Sequence, residues 1–351
     1  MSFRPKIAVL FGARTLGLFA LSRILTRSRL RILCYHAGAI GDESGYNPKL
    51  FCSAKLLRER MTWMTRRGFR FETLDEGIRQ QAGAEAKAPL RTVLTFDDGW
   101  YSTASELLPV LAGMQIPSTL YLSTQNFLEG WPILNVTVRY IIWKAGARSV
   151  KIQGWGVDVD DSYDLALPRE RQRLAAGIVK AIESAASGRE QVCDALNRFA
   201  IVLNIPAEAL QLESRRFDYV TREEATGLRE LGCSVELHGH VHEYPAGDPV
   251  RLAEDLYQCA ATIVELGLPR PRHYCYPSGS FGVEAAAALH GIGVLSATTC
   301  IPGLVSGVGG ERRYYLPRFL DGEDVHQLEF EAEMSGFSEL MRNALRIFRR
   351  R

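Results

Sequence analysis

Short apolar runs alternate with helix-like segments along most of this chain, and this alternation constrains its fold more than any other feature. The runs are typical of buried strands and lie at 31–35, 91–96, 118–122, 234–237, 273–276 and 293–297. Segments with helical spacing lie between them at 53–67, 106–114, 223–231, 252–266 and 284–290. Strand–helix–strand units place their strands in a parallel sheet. We therefore expect an α/β fold, a (β/α) barrel whose site lies at the carboxyl ends of the strands.

The alternation breaks between residues 127 and 216. This stretch contains three tryptophans, an acidic patch and helical spacing at 168–200. We expect a partly helical insertion that lies over the site. The predicted organisation is therefore an N-terminal helix at 1–30, a barrel at 31–325 that contains the insertion, and a C-terminal amphipathic helix at 326–351.

Both ends of the chain are basic. Residues 1–41 hold seven basic side chains and no acidic one, although the whole chain has a net charge of only +2. The segment 7–25 is largely apolar, but a membrane-spanning helix would place Arg14 near the bilayer centre, at a cost of about 2.5–3.5 kcal/mol. We favour a helix that lies on an anionic membrane or packs on the body, although solvated ends are an alternative. No basic stripe crosses the body, so we expect no nucleic-acid partner.

Seven cysteines are scattered along the chain without a CxxC pair. This odd and irregular set predicts buried thiols in a reducing compartment rather than a disulfide framework. No small-residue cleavage site follows the apolar N-terminal segment, so a cleaved signal is not expected. We therefore expect a cytoplasmic location, with peripheral contact at the inner face of the membrane.

Two adjacent carboxylates, Asp97 and Asp98, follow the run at 91–96, and Gly99 allows a sharp turn after them. At a strand end, both side chains can reach one cavity. A cation bound to one carboxylate would leave the other free as a base. A pair of helix-capping aspartates is the alternative.

Three of the seven histidines, His238, His240 and His242, follow the run at 234–237. His238 and His242 would share a face if the segment turns helical after the strand. One aspartate with two histidines, and open positions for water, is typical of a catalytic metal site. A single histidine is more often a core residue than a ligand, but three at this spacing favour a site.

These segments resemble the signatures of the polysaccharide deacetylase (NodB-homology) family. The run TFDDG at 95–99 matches the first signature, His238 and His242 match the second, and YCYPSG at 274–279 resembles the third. The resemblance covers about residues 30–300, interrupted by the insertion. It implies a deformed barrel of about seven strands and one divalent metal ion, for which zinc is our expectation.

The resemblance also implies roles for individual residues. The metal ligands would be Asp98, His238 and His242. Asp97 would be the general base, and a backbone N–H near Tyr276 and Pro277 would hold the oxyanion. His36 follows Tyr35 at the first strand end, as in the permuted branch that deacetylates poly-N-acetylglucosamine, and is our candidate for the general acid. A satisfied core histidine is the alternative for His36.

The chain departs from the family pattern at two positions. Gly239 stands where the family has Ser or Thr, and Cys275 stands where it has Arg. Arg318 is the best remaining candidate to orient Asp97, and Cys275 could instead be a thiol ligand. We expect His240 to contact substrate or to face outward.

The function expected from the resemblance is metal-dependent hydrolysis of N-acetyl groups on a polysaccharide, an oligosaccharide or a lipid-linked sugar, in exopolysaccharide or cell-envelope metabolism. The partner would then be an N-acetylated carbohydrate. Two alternatives stay open: a non-catalytic carbohydrate-binding module on a decayed barrel, and another metal-assisted hydrolase such as an O-acetyl esterase.

Overall fold

A computed structural model describes residues 5–83 and 89–349, so residues 1–4 and 350–351 of the two predicted terminal helices lie outside the described residues. The strands are β1 (Arg31–Tyr35), β2 (Ala37–Gly38), β3 (Phe51–Cys52), β4 (Phe69–Phe71), β5 (Leu90–Phe96), β6 (Ser118–Leu122), β7 (Ser149–Lys151), β8 (Ser162–Asp164), β9 (Cys233–Leu237), β10 (His273–Cys275), β11 (Ser296–Thr298) and β12 (Phe319–Leu320).

The helices follow the same order along the chain. They are α1 (Pro5–Thr15), α2 (Leu18–Leu25), α3 (Glu43–Tyr46), α4 (Ala54–Thr65), α5 (Leu74–Gln81), α6 (Leu108–Gly113), α7 (Thr124–Glu129), α8 (Leu134–Ala145), α9 (Pro168–Ala185), α10 (Arg189–Val202), α11 (Arg222–Gly227), α12 (Pro249–Glu265), α13 (Ala285–Gly291), α14 (Gln327–Met334) and α15 (Phe337–Arg349). The helix expected at 106–114 begins as a π-helical turn at Thr103–Leu107 and continues as α6.

Among the described residues, eight parallel strands form one curled sheet. Seven are hydrogen-bonded in the order β11-β10-β9-β6-β5-β1-β12, and β4 pairs with the first half of β5. A bridge between Thr298 and Leu316 connects the β11 edge to the segment before β12. The predicted deformed (β/α) barrel is therefore confirmed. Of the strands in this sheet, β4 and β12 are not predicted from the sequence, because strands of three and two residues show no periodicity.

The central strands are buried on both faces, as parallel strands covered by helices are. All seven residues of β5 are buried. On α4, Leu57, Met61 and Met64 recur at helical spacing and are buried, while the Ser53 side chain caps the helix by accepting the Leu56 N–H. The apolar stripe of such helices attaches them to the sheet and leaves the strand ends for polar residues.

The 127–216 stretch is partly helical and has an apolar cluster of its own. It contains α8, α9 and α10, together with the antiparallel pair of β7 and β8. Its apolar cluster also includes Phe51 and Trp100, which belong to the barrel side. The insertion is thus packed on the barrel next to the turn that carries Asp97 and Asp98.

Both terminal regions are helical within the described residues. No single helix described here is long and apolar enough to cross a membrane, whereas α1 and α2 satisfy that test only as a pair bent by 75°.

Arg60 links α4 to the segment after β12 through a buried ion pair. Its Nε donates to Oδ2 of Asp321 at 3.0 Å, and its Nη2 donates to the Val325 carbonyl at 2.6 Å. Arg60→Leu leaves the buried Asp321 carboxylate without its cationic partner, so we expect a loss of about 3–5 kcal/mol in the free energy of unfolding. Urea denaturation measures this loss. Arg58→Leu, the same change at an exposed position of α4, should stay within about 0.5 kcal/mol, and equal effects would contradict the prediction.

Candidate active site

Four side chains of the predicted site follow directly after parallel strands. His36 follows β1, Asp97 and Asp98 follow β5, and His238 follows β9. Because the carboxyl ends of parallel strands lie at the same edge of a sheet, the fold brings these side chains together from three separate parts of the chain.

Asp98, His238 and His242 meet at a single carboxylate oxygen. Nε2 of each histidine lies 3.1 Å from Oδ1 of Asp98, and the two ring centroids are 4.9 Å apart. The residues after β9 form a loop and not a helical turn, so the two histidines do not share a helix face. Positive φ angles of 85° at Gly239 and 55° at His242 bend this loop and return the second ring to the first.

The hydrogen bonds of His238 decide which of its nitrogens is protonated. Nδ1 lies 2.9 Å from the carbonyl oxygen of Cys275, and a carbonyl can only accept, so Nδ1 carries a proton. In the neutral ring, the lone pair of Nε2 then faces Oδ1 of Asp98. Two acceptors at this distance need a cation or a second proton between them. The donor set therefore fits a divalent metal ion held by one carboxylate and two imidazoles.

The second oxygen of Asp98 is held by Trp100. The indole Nε1 donates to Oδ2 at 2.9 Å, which leaves Oδ1 to face the two imidazoles. Burial alone would raise the pKa of Asp98, but the imidazoles of His238 and His242 hold it well below its usual range. The carboxylate is therefore ionised, as a metal ligand must be.

Asp97 forms a buried ion pair with Arg318. Nη1 and Nη2 of the arginine donate to Oδ1 and Oδ2, both at 2.7 Å. Burial would raise the pKa of Asp97, but the charge and hydrogen bonds of Arg318 hold it below its usual range. The Sγ atoms of Cys34 and Cys275 each lie 3.5 Å from Oδ2 of Asp97. Asp97 is thus an oriented and ionised carboxylate, while Cys275 lies on its Arg318 side.

His36 also lies close to Asp97. Its Nε2 is 3.8 Å from Oδ2 of Asp97, and its side chain is 19% exposed. Its carbonyl accepts the Thr103 hydroxyl hydrogen bond, which ties the end of β1 to the π-helical turn. The structure therefore places the His36 imidazole beside the Asp97 carboxylate.

These side chains line one cavity of about 720 Å³, a volume typical of small-ligand pockets. The barrel contributes His36, Asp97, Asp98, His238 and His242. The insertion contributes the opposite wall, which includes Trp131, Ile133, Val136, Val179 and Glu183. The wall mixes aromatic, aliphatic and carboxylate groups, so it can contact both the faces and the hydroxyls of a sugar.

No known protein family matches the chain by sequence profile, and no curated protein matches it by sequence. Solved structures do match. The Streptococcus pyogenes deacetylase PplD in complex with acetate is 13% identical, with a TM-score of 0.54 over 87% of this chain and 98% of that chain. IcaB from Ammonifex degensii is 16% identical, with a TM-score of 0.54 over 88% of this chain and 97% of that chain.

A third structure is BC0361, a polysaccharide deacetylase from Bacillus cereus. It is 14% identical, with a TM-score of 0.53 over 87% of this chain and 69% of that chain. The chain has the polysaccharide deacetylase fold. The resemblance noted from the TFDDG run and the histidine pair is therefore confirmed for the fold by the arrangement of the whole barrel.

From the sequence, His240, Tyr276 and Pro277 are candidates for contact with the substrate or its oxyanion. Within the described residues, none of the three lines the cavity. Nδ1 of His240 lies 3.0 Å from the Thr124 hydroxyl. The Tyr276 N–H donates to the Thr298 carbonyl at 3.3 Å, so it is used within the sheet. The next residue with an amide hydrogen is Ser278, which does line the cavity.

Sequence reasoning also missed Asp255, on α12. Its two carboxylate oxygens accept the N–H groups of His240 and Val241, both at 2.8 Å. These bonds hold the histidine loop in place. The only sequence signal for Asp255 is an acidic residue on the buried face of a helix.

Trp100→Phe removes the N–H that Oδ2 of Asp98 accepts but keeps an aromatic ring in the insertion cluster. Since the residues that orient ligands support metal affinity, we expect the metal dissociation constant to rise about 10- to 100-fold. Competition with a chelator measures it. Trp155→Phe, at a buried position of the same cluster, is the matched control and should leave the affinity unchanged. Equal affinities in the two variants would show that the Trp100 bond does not orient Asp98.

Proposed function

We propose that the chain is a metal-dependent deacetylase that hydrolyses N-acetyl groups of a polysaccharide, an oligosaccharide or a lipid-linked sugar. One observation carries this proposal: Asp98 with its two imidazoles and the ionised Asp97 face the same cavity from neighbouring strand ends. Such a cavity combines a place for a cation with a place for a base. The fold shared with PplD and BC0361 supports this chemistry over others.

Asp98, His238 and His242 would hold the metal ion, and zinc is the expected ion because imidazole and carboxylate ligands suit it. A bound divalent ion supplies polarisation of the acetyl carbonyl and a lower pKa for water. The three residues contribute one negative charge in total, so the site keeps a net positive charge when it is loaded. That charge favours the anionic oxygen that develops on the carbonyl.

Asp97 and His36 are the proposed proton-transfer pair. Asp97 accepts a proton from the attacking water, while Arg318 keeps its carboxylate in place. His36 donates a proton to the nitrogen as the carbon–nitrogen bond breaks, which releases acetate and a free amine. The 3.8 Å separation of His36 and Asp97 puts both groups within reach of one acetamide group.

The amide of Ser278 is the proposed oxyanion donor, in place of the Tyr276 amide. Ser278 is the second residue of a single 3₁₀ turn at Pro277–Gly279, and the first amides of such a turn have no acceptor within it. Its φ of 55° is in the left-handed region, which sets the direction of this part of the backbone. Pro277 has no N–H and so serves only to shape the turn.

Metal content and acetate release test the proposal together. We expect about one divalent ion per chain in the wild type, loss of that ion in His238→Ala, and acetate release from N-acetylglucosamine oligomers. Asp97→Asn should keep the metal ion but lose about 10²- to 10⁴-fold in turnover. His240→Ala is the matched control in the same loop. Because the His240 ring contacts Thr124 away from the cavity, this variant should keep both the metal ion and the acetate release.

Three outcomes would overturn the proposal. Retained turnover in Asp97→Asn would remove Asp97 as the base. Acetate release from O-acetylated but not N-acetylated sugars would assign an esterase. Sugar binding by the metal-loaded protein without any acetate release would assign a carbohydrate-binding module.

A further inference from the structure

The first two helices carry a concentration of exposed apolar side chains. Leu16, Ile24 and Val9 are 78%, 70% and 67% exposed. Other large apolar side chains exposed on the same two helices or the turn between them are Phe11, Leu18, Leu21 and Leu25. Scattered exposed apolar residues are ordinary, but a concentration of seven within 17 residues marks a surface that contacts something apolar.

This exposure does not result from loose helices. On their inner side, Leu10, Ala13 and Phe19 are buried against α14, and the ring of Phe19 lies 5.2 Å from that of Phe337. Ion pairs fix the same arrangement, with Lys6 to Glu329 and Arg14 to Glu331. Each helix thus has one face packed on the body and an apolar face directed outward.

The C-terminal helix extends the same surface. On α15, Met341 and Leu345 are one turn apart and both exposed, and α15 lies against α2. We call the exposed faces of α1, α2 and α15 the terminal surface. Arg346, also exposed, adds a positive charge to it.

The charge of the two terminal regions matches an anionic partner. Residues 1–30 hold six basic and no acidic side chains, and residues 326–351 hold five basic and four acidic ones, a combined net charge of +7. The whole chain has a net charge of +2, so the remainder is negative. The four acidic side chains, which are Glu329, Glu331, Glu333 and Glu339, are all ion-paired to basic residues of the same two regions.

We propose that the terminal surface docks on an anionic lipid bilayer, with α1 and α2 lying along the bilayer surface. Two interactions hold such helices on a bilayer. Apolar side chains are buried in the interfacial region, and basic side chains bind the anionic lipid headgroups. A second protein would supply the apolar contact, but the net positive charge around this surface favours anionic headgroups. This inference is independent of the activity proposed for the cavity.

Docking in this way turns the cavity away from the bilayer. The end of α2 leads into Arg31, at the amino end of β1, and the Arg31 guanidinium binds the carbonyl of Met334 at the end of α14. The cavity lies at the opposite end of the strands, after their carboxyl ends. The catalytic candidates would therefore face the aqueous phase.

Vesicle co-sedimentation of the full chain tests the proposal. The wild type should bind vesicles of phosphatidylcholine with about one-third phosphatidylglycerol, and should be released as salt rises to about 0.5 M. Leu21→Glu with Ile24→Glu should lower the bound fraction at least about tenfold, because both the apolar contact and the charge match are weakened. Val157→Glu with Val283→Glu is the matched control, since these exposed valines lie far from the termini in sequence and outside the terminal surface. Thermal unfolding should be similar in all three proteins.

Four outcomes would overturn the proposal. The first two are no binding of the wild type to anionic vesicles, and equal binding of the Leu21/Ile24 variant and the wild type. The other two are an equal loss of binding in the control variant, and bound protein that alkaline carbonate does not extract from the vesicles. The last would show an inserted helix instead of a surface contact. A dimer in solution that the Leu21/Ile24 variant dissociates, without vesicle binding, would assign the surface to a second copy of the chain.

Discussion

The buried ion pair between Asp97 and Arg318 is the contact on which the rest of the site depends. Arg318 donates to Asp97 through both terminal nitrogens, and also binds the Thr299 carbonyl and the Thr95 hydroxyl. One guanidinium therefore holds together the ends of β5 and β11 and the segment that leads into β12. A single charge buried here without its partner would cost about 3–5 kcal/mol, so the position of the Asp97 carboxylate and the closure of the barrel edge are linked.

The strand-end residues of the site could be predicted from the sequence, because polar residues that follow apolar runs are visible as a pattern. The strands β1, β5 and β9 are long enough to recognise in the sequence. The side chains that come directly after them, at His36, Asp97 and His238, can therefore be predicted to lie together. Which arginine pairs with Asp97 was harder. Cys275 stands at the position where the resemblance leads one to expect this arginine. Arg318 instead lies just before β12, a strand of only two residues. That pairing depends on long-range contacts, which local periodicity does not contain.

The loop after β9 shows a second limit of sequence reasoning. A spacing of four residues would bring His238 and His242 together on a helical turn, yet the loop brings them together through left-handed backbone at Gly239 and His242. Identical spacing can thus come from two backbone paths, and only the tertiary contacts decide between them. Likewise, no local pattern marks Trp100 as the donor to Asp98, because that bond exists only once the strand end turns.

The insertion gives the site its second wall, and its apolar cluster also reaches Asp98. Trp100 belongs to the insertion's apolar cluster and donates to Asp98, and its ring lies 5.4 Å from that of Phe51. Packing against the insertion therefore sets the position of the Asp98 carboxylate. The loop is held from the other side by Asp255, whose Oδ2 would lie only 2.8 Å from a side-chain carbon at Gly239. A serine at 239 would need both a left-handed backbone and displacement of that carboxylate. Glycine at this position and aspartate on α12 therefore support one another.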